Sequence, residues 1–440
     1  MDPAGAGVAR GDGPALSPAA PGEGRAAVEA VWRAHAARIV ATLARSTGDV
    51  GLAEDVAQEA LAEALVAWPR DGVPANPAGW LVTAGRRRAV DAFRRRAALD
   101  DRYAALAREA ARAGVPGEDA DLLHDPDAVG DDVLALMFVA CHPVLSREAQ
   151  VALTLRVVGG LTSDEIARAF LVPTPTVQAR ITRAKKTLSA ARVPFAVPAA
   201  GERRERLASV LAVVYSVFTE GSTATSGDDL LRPDLAGEAV RLARVLAHLV
   251  PDEPEALGLL ALLELTAARF PARVAADGSA VLLADQDRRR WDRAGIRRGR
   301  AALAAAGRAG NGLGAYGLQA AIAECHAVAP SVPATDWERV LLLYDALARL
   351  APSPVVDLNR AVAVAMAHGP AAGLAAVDAL AAAGALAGSH LLPSVRGELL
   401  RRLGRDADAR DELARAAALC PNPRERRVLQ DKIAALAGGG

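Results

Sequence analysis

Six side chains, Thr176, Gln178, Arg180, Arg183, Lys185 and Lys186, fall on the outer face of one predicted helix whose inner face carries Val177, Ile181 and Ala184. Guanidinium forks and glutamine amides can each make paired hydrogen bonds to base edges, while lysines and the threonine hydroxyl suit phosphates. The chemistry open to this face is recognition of a duplex. A second group lies earlier in the chain. Asp55, Gln58 and Glu59 stand at i, i+3 and i+4, so a helix would gather them into one acidic and amide-bearing face opposite Leu52, Val56, Ala60 and Leu61. Soon after come Trp80 and the arginines Arg86, Arg87, Arg88, Arg94, Arg95 and Arg96. A ring for stacking beside cations for phosphates is what single-stranded DNA requires. A lone tryptophan is as readily a core residue, and both readings of Trp80 stand at this point.

The elements that would hold these groups follow from spacing and punctuation. From Leu145 the apolar residues form three short helical blocks. The first, with Ala149, Leu153, Leu155 and Val158, stops at Gly159 and Gly160. The second opens on Thr162, which with Glu165 has capping-box spacing, and turns Ile166, Ala167 and Phe170 inward. After the break at LVPTP, the third runs from about Pro175 to about Leu188. A capped helix, a short turn and a second helix with a basic outer face are the parts of a helix-turn-helix that enters a major groove. A charged face is also what any solvated helix shows, so the pattern gains weight only from the domain before it.

Charge distribution marks out the domains. Net charge is zero, which argues against a protein that coats nucleic acid nonspecifically. Between Arg86 and Arg96 there are six arginines and one acid, and between Arg168 and Arg192 six basic residues and none. Between Asp100 and Asp132 ten acids face three arginines in a stretch containing Pro116, Gly117, Pro126 and Gly130. The expected organisation is a disordered tail over 1–24, a helical domain over 25–98, an acidic linker over 99–132, a helix-turn-helix domain over 133–198 and a helical extension over 199–440. Apolar residues at 52% with aromatics at only 3% suit helices and not strands, so an all-α fold is predicted.

Taken in order, Asp-x-x-Gln-Glu at Asp55, the Pro/Gly-rich stretch, Trp80-Leu81, the Asp91-x-x-Arg-Arg-Arg helix and LTSDEIA...TVQARITRAKKTL resemble the sigma-70 family in its extracytoplasmic-function subfamily. The resemblance covers both sigma domains, about residues 25–194. It implies that Asp55, Gln58 and Glu59 dock on core RNA polymerase, and that the loop from Pro69 to Gly79 captures a flipped base of the minus-ten element. It further implies that Trp80 and the arginines support strand opening there, that the 176–186 face reads the minus-thirty-five element, and that the acidic linker threads toward the RNA exit channel. Arg87 stands where many relatives carry asparagine, as does Thr219 in the extension.

The extension holds no phosphate loop and no Ser/His/Asp arrangement. Gly397, Leu400, Ala409, Leu413, Ala416 and Pro421 follow tetratricopeptide spacing. The segments VYSVFTEGSTATSGDDLLRPDL and DQDRRRWDR resemble the extension of one sigma subgroup, which implies regulation of the sigma domains in cis and a regulatory partner on the extension. Asp285, Asp287, Arg288 and Trp291 could form such a site, although similar clusters are commonly surface ion pairs. His248, His326, His368 and His390 lack metal spacing and read as structural. Cys141, Cys325 and Cys420 are far apart, no apolar run reaches the roughly 20 residues of a membrane span, and no leader is expected, which together place the chain in the cytoplasm. No catalytic residue, metal or cofactor is expected. A DNA-binding repressor with a sensory repeat domain is the alternative, which would not need the Asp55 face, and a helical enzyme ranks last.

Overall fold

The computed structural model describes residues 21–97, 126–222, 231–275, 279–310 and 312–437. Among these the chain is helical throughout, and the one β feature is a single antiparallel bridge between Val274 and Ala280. Its contacts fall into two units, residues 1–162 with 181–201 and residues 163–180 with 202–440. Residues 1–20 of the expected tail over 1–24, and residues 99–125 of the expected acidic linker over 99–132, lie outside the described residues.

The first unit holds α1 (Pro21–Thr47), α2 (Val50–Asp71), α3 (Pro77–Ala97), α4 (Pro126–Ala140), α5 (Arg147–Val157) and the second half of α7 (Thr174–Ala190). Gly48, at φ +67°, stops α1, and the Asp49 carboxylate then accepts from the Leu52 N–H at 3.0 Å to start α2. The Asn76 side chain does the same for α3, accepting from Gly79 N–H at 3.0 Å ahead of Pro77 in the first turn. Ile39, Leu43, Trp68, Leu81 and Phe93 fill the core of α1, α2 and α3, all but sealed from solvent. Each such side chain contributes about 2 kcal/mol of burial.

Two boundaries differ from the sequence expectation. The Pro69–Gly79 stretch is not one loop, because α2 continues through Pro69 to Asp71 and α3 resumes at Pro77. Proline cannot donate, but the buried Trp68 anchors that turn and the Gly72 N–H closes it on Trp68 O at 3.0 Å. Nor does the acidic stretch remain irregular up to Asp132. Helix α4 starts at Pro126, where a missing N–H costs nothing, and passes through Gly130. Asp132 is buried, 3.4 Å from Arg45, and loss of water raises its carboxyl above the usual range while Arg45 opposes the shift. It is a core acid.

In the second unit α6 (Ser163–Phe170) and the first half of α7 accompany α8 (Ala200–Ser222), α9 (Pro233–Leu249), α10 (Pro254–Ala267) and the short α11 (Phe270–Arg273). Two 3-10 turns, Leu283–Asp285 and Arg288–Arg290, lead to α12 (Arg293–Ala309) and α13 (Ala315–Val328). Helix α10 packs on α12 and α13, and a Cβ on Gly258 would meet Gly317 N at 2.6 Å, so only glycine permits that approach. The carboxylate of buried Glu264 on α10 receives Arg244 Nε at 2.7 Å and Arg298 Nε at 3.1 Å. Thereafter α14 (Trp337–Leu350), α15 (Pro354–His368), α16 (Pro370–Ala382), α17 (Leu391–Arg402), α18 (Asp406–Leu419) and α19 (Pro423–Ala437) each pack on the next. Gly397 lets Leu413 in, since a Cβ there would lie 2.8 Å from Leu413 Cγ, and Leu400, Ala409 and Ala416 are buried around them.

His326 on α13 meets the Trp337 ring edge-on at 5.2 Å. Burial, with Arg269 and Arg288 adding positive charge, lowers its pKa to about 4. A histidine that stays neutral when folded but charges at its ordinary 6.5 when unfolded costs stability as pH falls from 6.5 to 4 and has no effect above that window. Thermal melts should therefore show His326→Asn losing less stability than wild type between pH 6.5 and 4; parallel pH profiles would exclude this linkage.

Candidate nucleic-acid interface

The helix-turn-helix is built from α6 and α7. Ile166, Ala167, Val177, Ile181, Ala184 and Leu188 are buried, which turns the opposite face of α7 outward. Between the helices, Leu171 takes a left-handed φ of +51°, and the Thr174 hydroxyl bonds the Asp164 carboxylate at 2.7 Å. Gln178, Arg183 and Lys186 are exposed, whereas Thr176 and Arg180 are half-buried. Lys185 behaves differently. Its stem lies against Gly51 of α2, where a Cβ would meet Lys185 Cβ at 3.2 Å, and its ammonium donates to Glu54 and, at 2.7 Å, to Asp55.

Asp55, expected to face a partner protein, thus faces Lys185, expected to face DNA. Beside Asp55, Glu54 is only 3% exposed and also receives Arg156 Nε from α5 at 2.7 Å. Arg156 Nη1 continues to Leu161 O at 3.1 Å. A second tie lies close by in sequence, where Trp32 Nε1 of α1 donates to Gly160 O at 2.9 Å. Gly160 is at φ +72°, and a Cβ there would lie 2.8 Å from Ala36 Cβ, so the turn that ends the first helical block is seated on α1.

On the other side of α2, Glu59 accepts from Arg88 at 3.1 Å, and Glu63 accepts from the same guanidinium at 2.8 Å. Arg88 is therefore a clasp between α2 and α3. Arg87 reaches Glu63 only at 3.8 Å and is largely exposed, as are Arg94, 3.8 Å from Asp91, and Arg95. Arg86 and Gln58 are half-buried, and the side chain of Arg96 lies outside the described residues. Trp80 is half-buried and edge-on to the sealed Trp68 at 5.7 Å, so its ring is part support and part surface.

Residues 31–98 match the family model described as Sigma-70 region 2, and residues 135–188 match Sigma-70, region 4. The protein called Probable ECF RNA polymerase sigma factor SigI, from two Mycobacterium tuberculosis strains, is 29% identical over 216 residues, 48% of this chain and 69% of that one. The chain belongs to the extracytoplasmic-function branch of the sigma-70 family. This sigma factor is accordingly a non-enzymatic initiation factor that works with core RNA polymerase on promoter DNA. Its residues 206–307 match a family of unknown function, DUF6596. An uncharacterized protein of Rhizobium meliloti (strain 1021) is 44% identical over 397 residues, 90% of this chain and 92% of its own length. No helix among the described residues is long and apolar enough to cross a membrane.

Glu54, Arg156 and Arg232 carry contacts that sequence reasoning did not single out. Glu54 had a signal: an acid between Ala53 and Ala57 interrupts an otherwise apolar stripe. Arg232 had none. It lies just before α9, and its Nη1 donates to Ala169 O in α6 at 2.7 Å as well as to Glu220. His390, Cys420 and Glu425 come within 4.8 Å of one another although their spacing showed no metal pattern; His390 Nε2 is 3.5 Å from the Glu425 carboxylate. All three cysteines are free thiols and buried.

Removing one partner from a buried charge group leaves the others stranded, so Glu54→Gln should lower unfolding free energy on the order of 3 kcal/mol. Asp55→Asn, at a carboxylate 60% exposed, should cost under about 1 kcal/mol. Urea titrations of the two variants decide it, and equal small losses would show that Glu54 does not hold these helices.

Proposed function

We propose that the structure represents a resting state of this sigma factor, in which the polymerase-facing and promoter-facing surfaces hold each other. The observation that carries this reading is the joint engagement of Lys185 by Glu54 and Asp55. One ammonium cannot serve phosphates while it neutralises two carboxylates, and Asp55 cannot meet a partner protein through an occupied oxygen. In the open form, Asp55, Gln58 and Glu59 dock on core polymerase. Trp80 with Arg86, Arg87, Arg88, Arg94, Arg95 and Arg96 serves the minus-ten element, the loop after α2 takes the flipped base, and Thr176, Gln178, Arg180, Arg183, Lys185 and Lys186 address the minus-thirty-five element. Exposed Gln178 and Arg183 are the base readers, and Lys186 takes phosphate.

The extension acts in cis, and Arg232 is its handle on the helix-turn-helix, because its bond to Ala169 O grips the helix that sets the angle of α7. The closing helix pairs, with Gly397 admitting Leu413, form a tetratricopeptide-like stack suited to a regulatory partner.

Gel filtration with core RNA polymerase tests the docking face. The Asp55→Ala, Gln58→Ala, Glu59→Ala triple variant, its folding checked by circular dichroism, should co-elute at least tenfold less than wild type, and unchanged co-elution would remove those residues from the interface. For the extension, Arg232→Ala should alter multiple-round transcript yield from a promoter the protein uses, without altering the melting of the whole chain by more than a few degrees. Identical yields would end the claim that Arg232 transmits regulation.

A further inference from the structure

The DQDRRRWDR stretch is divided by the fold. Asp287 is satisfied locally: it caps the 3-10 turn and takes Arg289 Nε at 3.0 Å on the surface. Arg288 turns inward, where Nη1 donates to His326 O and Ala329 O, each at 2.7 Å, and its Cζ sits 4.4 Å above the Trp291 ring. Arg269 lies 5.5 Å over the same indole. Arg273, 5.8 Å over the Phe270 ring, donates to Ser222 O at 2.8 Å.

Three guanidiniums are thus gathered against two rings and a few carbonyls, and among the described residues none of the three has a carboxylate within ion-pair distance. Glu425 adds a favourable field at Arg273, but its carboxylate is 3.5 Å from His390 and 3.8 Å from Cys420 Sγ. Desolvation and mutual repulsion lower the pKa of Arg269 to about 10, and burial also lowers Arg273 and Arg288. Arg288 Nη2, Trp291 Nε1 and His326 Nδ1 are buried without hydrogen-bond partners. Ring faces offset part of the cost of a buried cation, yet a cluster of them is stable chiefly when a counter-charge is near.

A cleft of about 480 Å³ opens beside this cluster, with Leu231, Pro233, Phe270 and Pro271 as its apolar walls and Arg290 and Arg424 supplying charge. Phe270 belongs to both places: it lines the cleft, and Arg273 lies over its ring. Arg290 is exposed and has no ion pair among the described residues. The volume lies in the range of small-molecule sites, and apolar walls with a few convergent charges are their usual lining. Arginine forks match phosphate oxygens in pairs.

We propose that this cleft binds a small molecule that joins a phosphate monoester to an apolar body, the ester held by Arg290 and Arg424 and the body by Phe270 and the prolines. Such a ligand places its negative charge next to a cluster that meets no carboxylate among the described residues, and it gives the extension a chemical input. The site is independent of the Glu54 contact and of any docking on polymerase.

Isothermal titration calorimetry of the full chain with phenyl phosphate tests it, beside inorganic phosphate and phenol. Phenyl phosphate should bind saturably at one site, at least tenfold tighter than either half-probe, and more weakly as salt is raised. Arg290→Ser with Arg424→Ser should weaken binding at least tenfold, while Arg308→Ser, on α12 and not in the cleft lining, should leave it unchanged. No saturable binding by folded wild type, or equal binding by the cleft variant, overturns the proposal. So does binding that appears only once Asp228→Asn and Asp229→Asn are introduced, because the chain's own acids would then be the counter-charge.

Discussion

A carboxylate removed from water must be met by cations, and Glu54 imposes that constraint on the first unit. Almost sealed within α2, it takes Arg156 from α5 and Lys185 from α7, so α2 shares one charge group with two helices more than a hundred residues further along the chain. Hydrophobic contact is tolerant of sliding; an ion group of this kind is not, because each partner left behind would be a buried charge without compensation. The Trp32 bond to Gly160 O adds a second directional tie from α1 to the same region. Position, more than net energy, is what such groups supply.

The same helices carry further charge contacts. Arg88 binds Glu59 and Glu63, so one guanidinium ties α2 to α3. Lys185 and Asp55 satisfy each other, so any other partner of either side chain must displace that contact.

In the extension, the two ways of treating buried charge stand side by side. Glu264 receives two arginines and is complete. Arg269, Arg273 and Arg288 are clustered around Trp291 and Phe270 with only rings and carbonyls in contact. The first arrangement pins helices together, while the second meets no carboxylate among the described residues and shares Phe270 with a cleft of about 480 Å³. Arg232, just before α9, is bonded to Ala169 O of α6.

Helical content, the order of the two sigma domains, the helix-turn-helix punctuation and the outward face of α7 were legible in the sequence, since they depend on local periodicity, caps and glycines. The family resemblance rested on those same local motifs. Sequence alone misplaced the limits of the Pro69 and Asp132 stretches, because burial of Trp68 and the contact of Asp132 with Arg45 override proline, glycine and charge as local breakers. It assigned Lys185 to DNA and Asp55 to polymerase, and only tertiary structure brought the two side chains together. Likewise the arginines of the extension, spread from Arg269 to Arg424, converge solely through packing. Short-range spacing decides which helices form and which faces they own; charges distant in sequence find one another only when a core has fixed the helices that carry them.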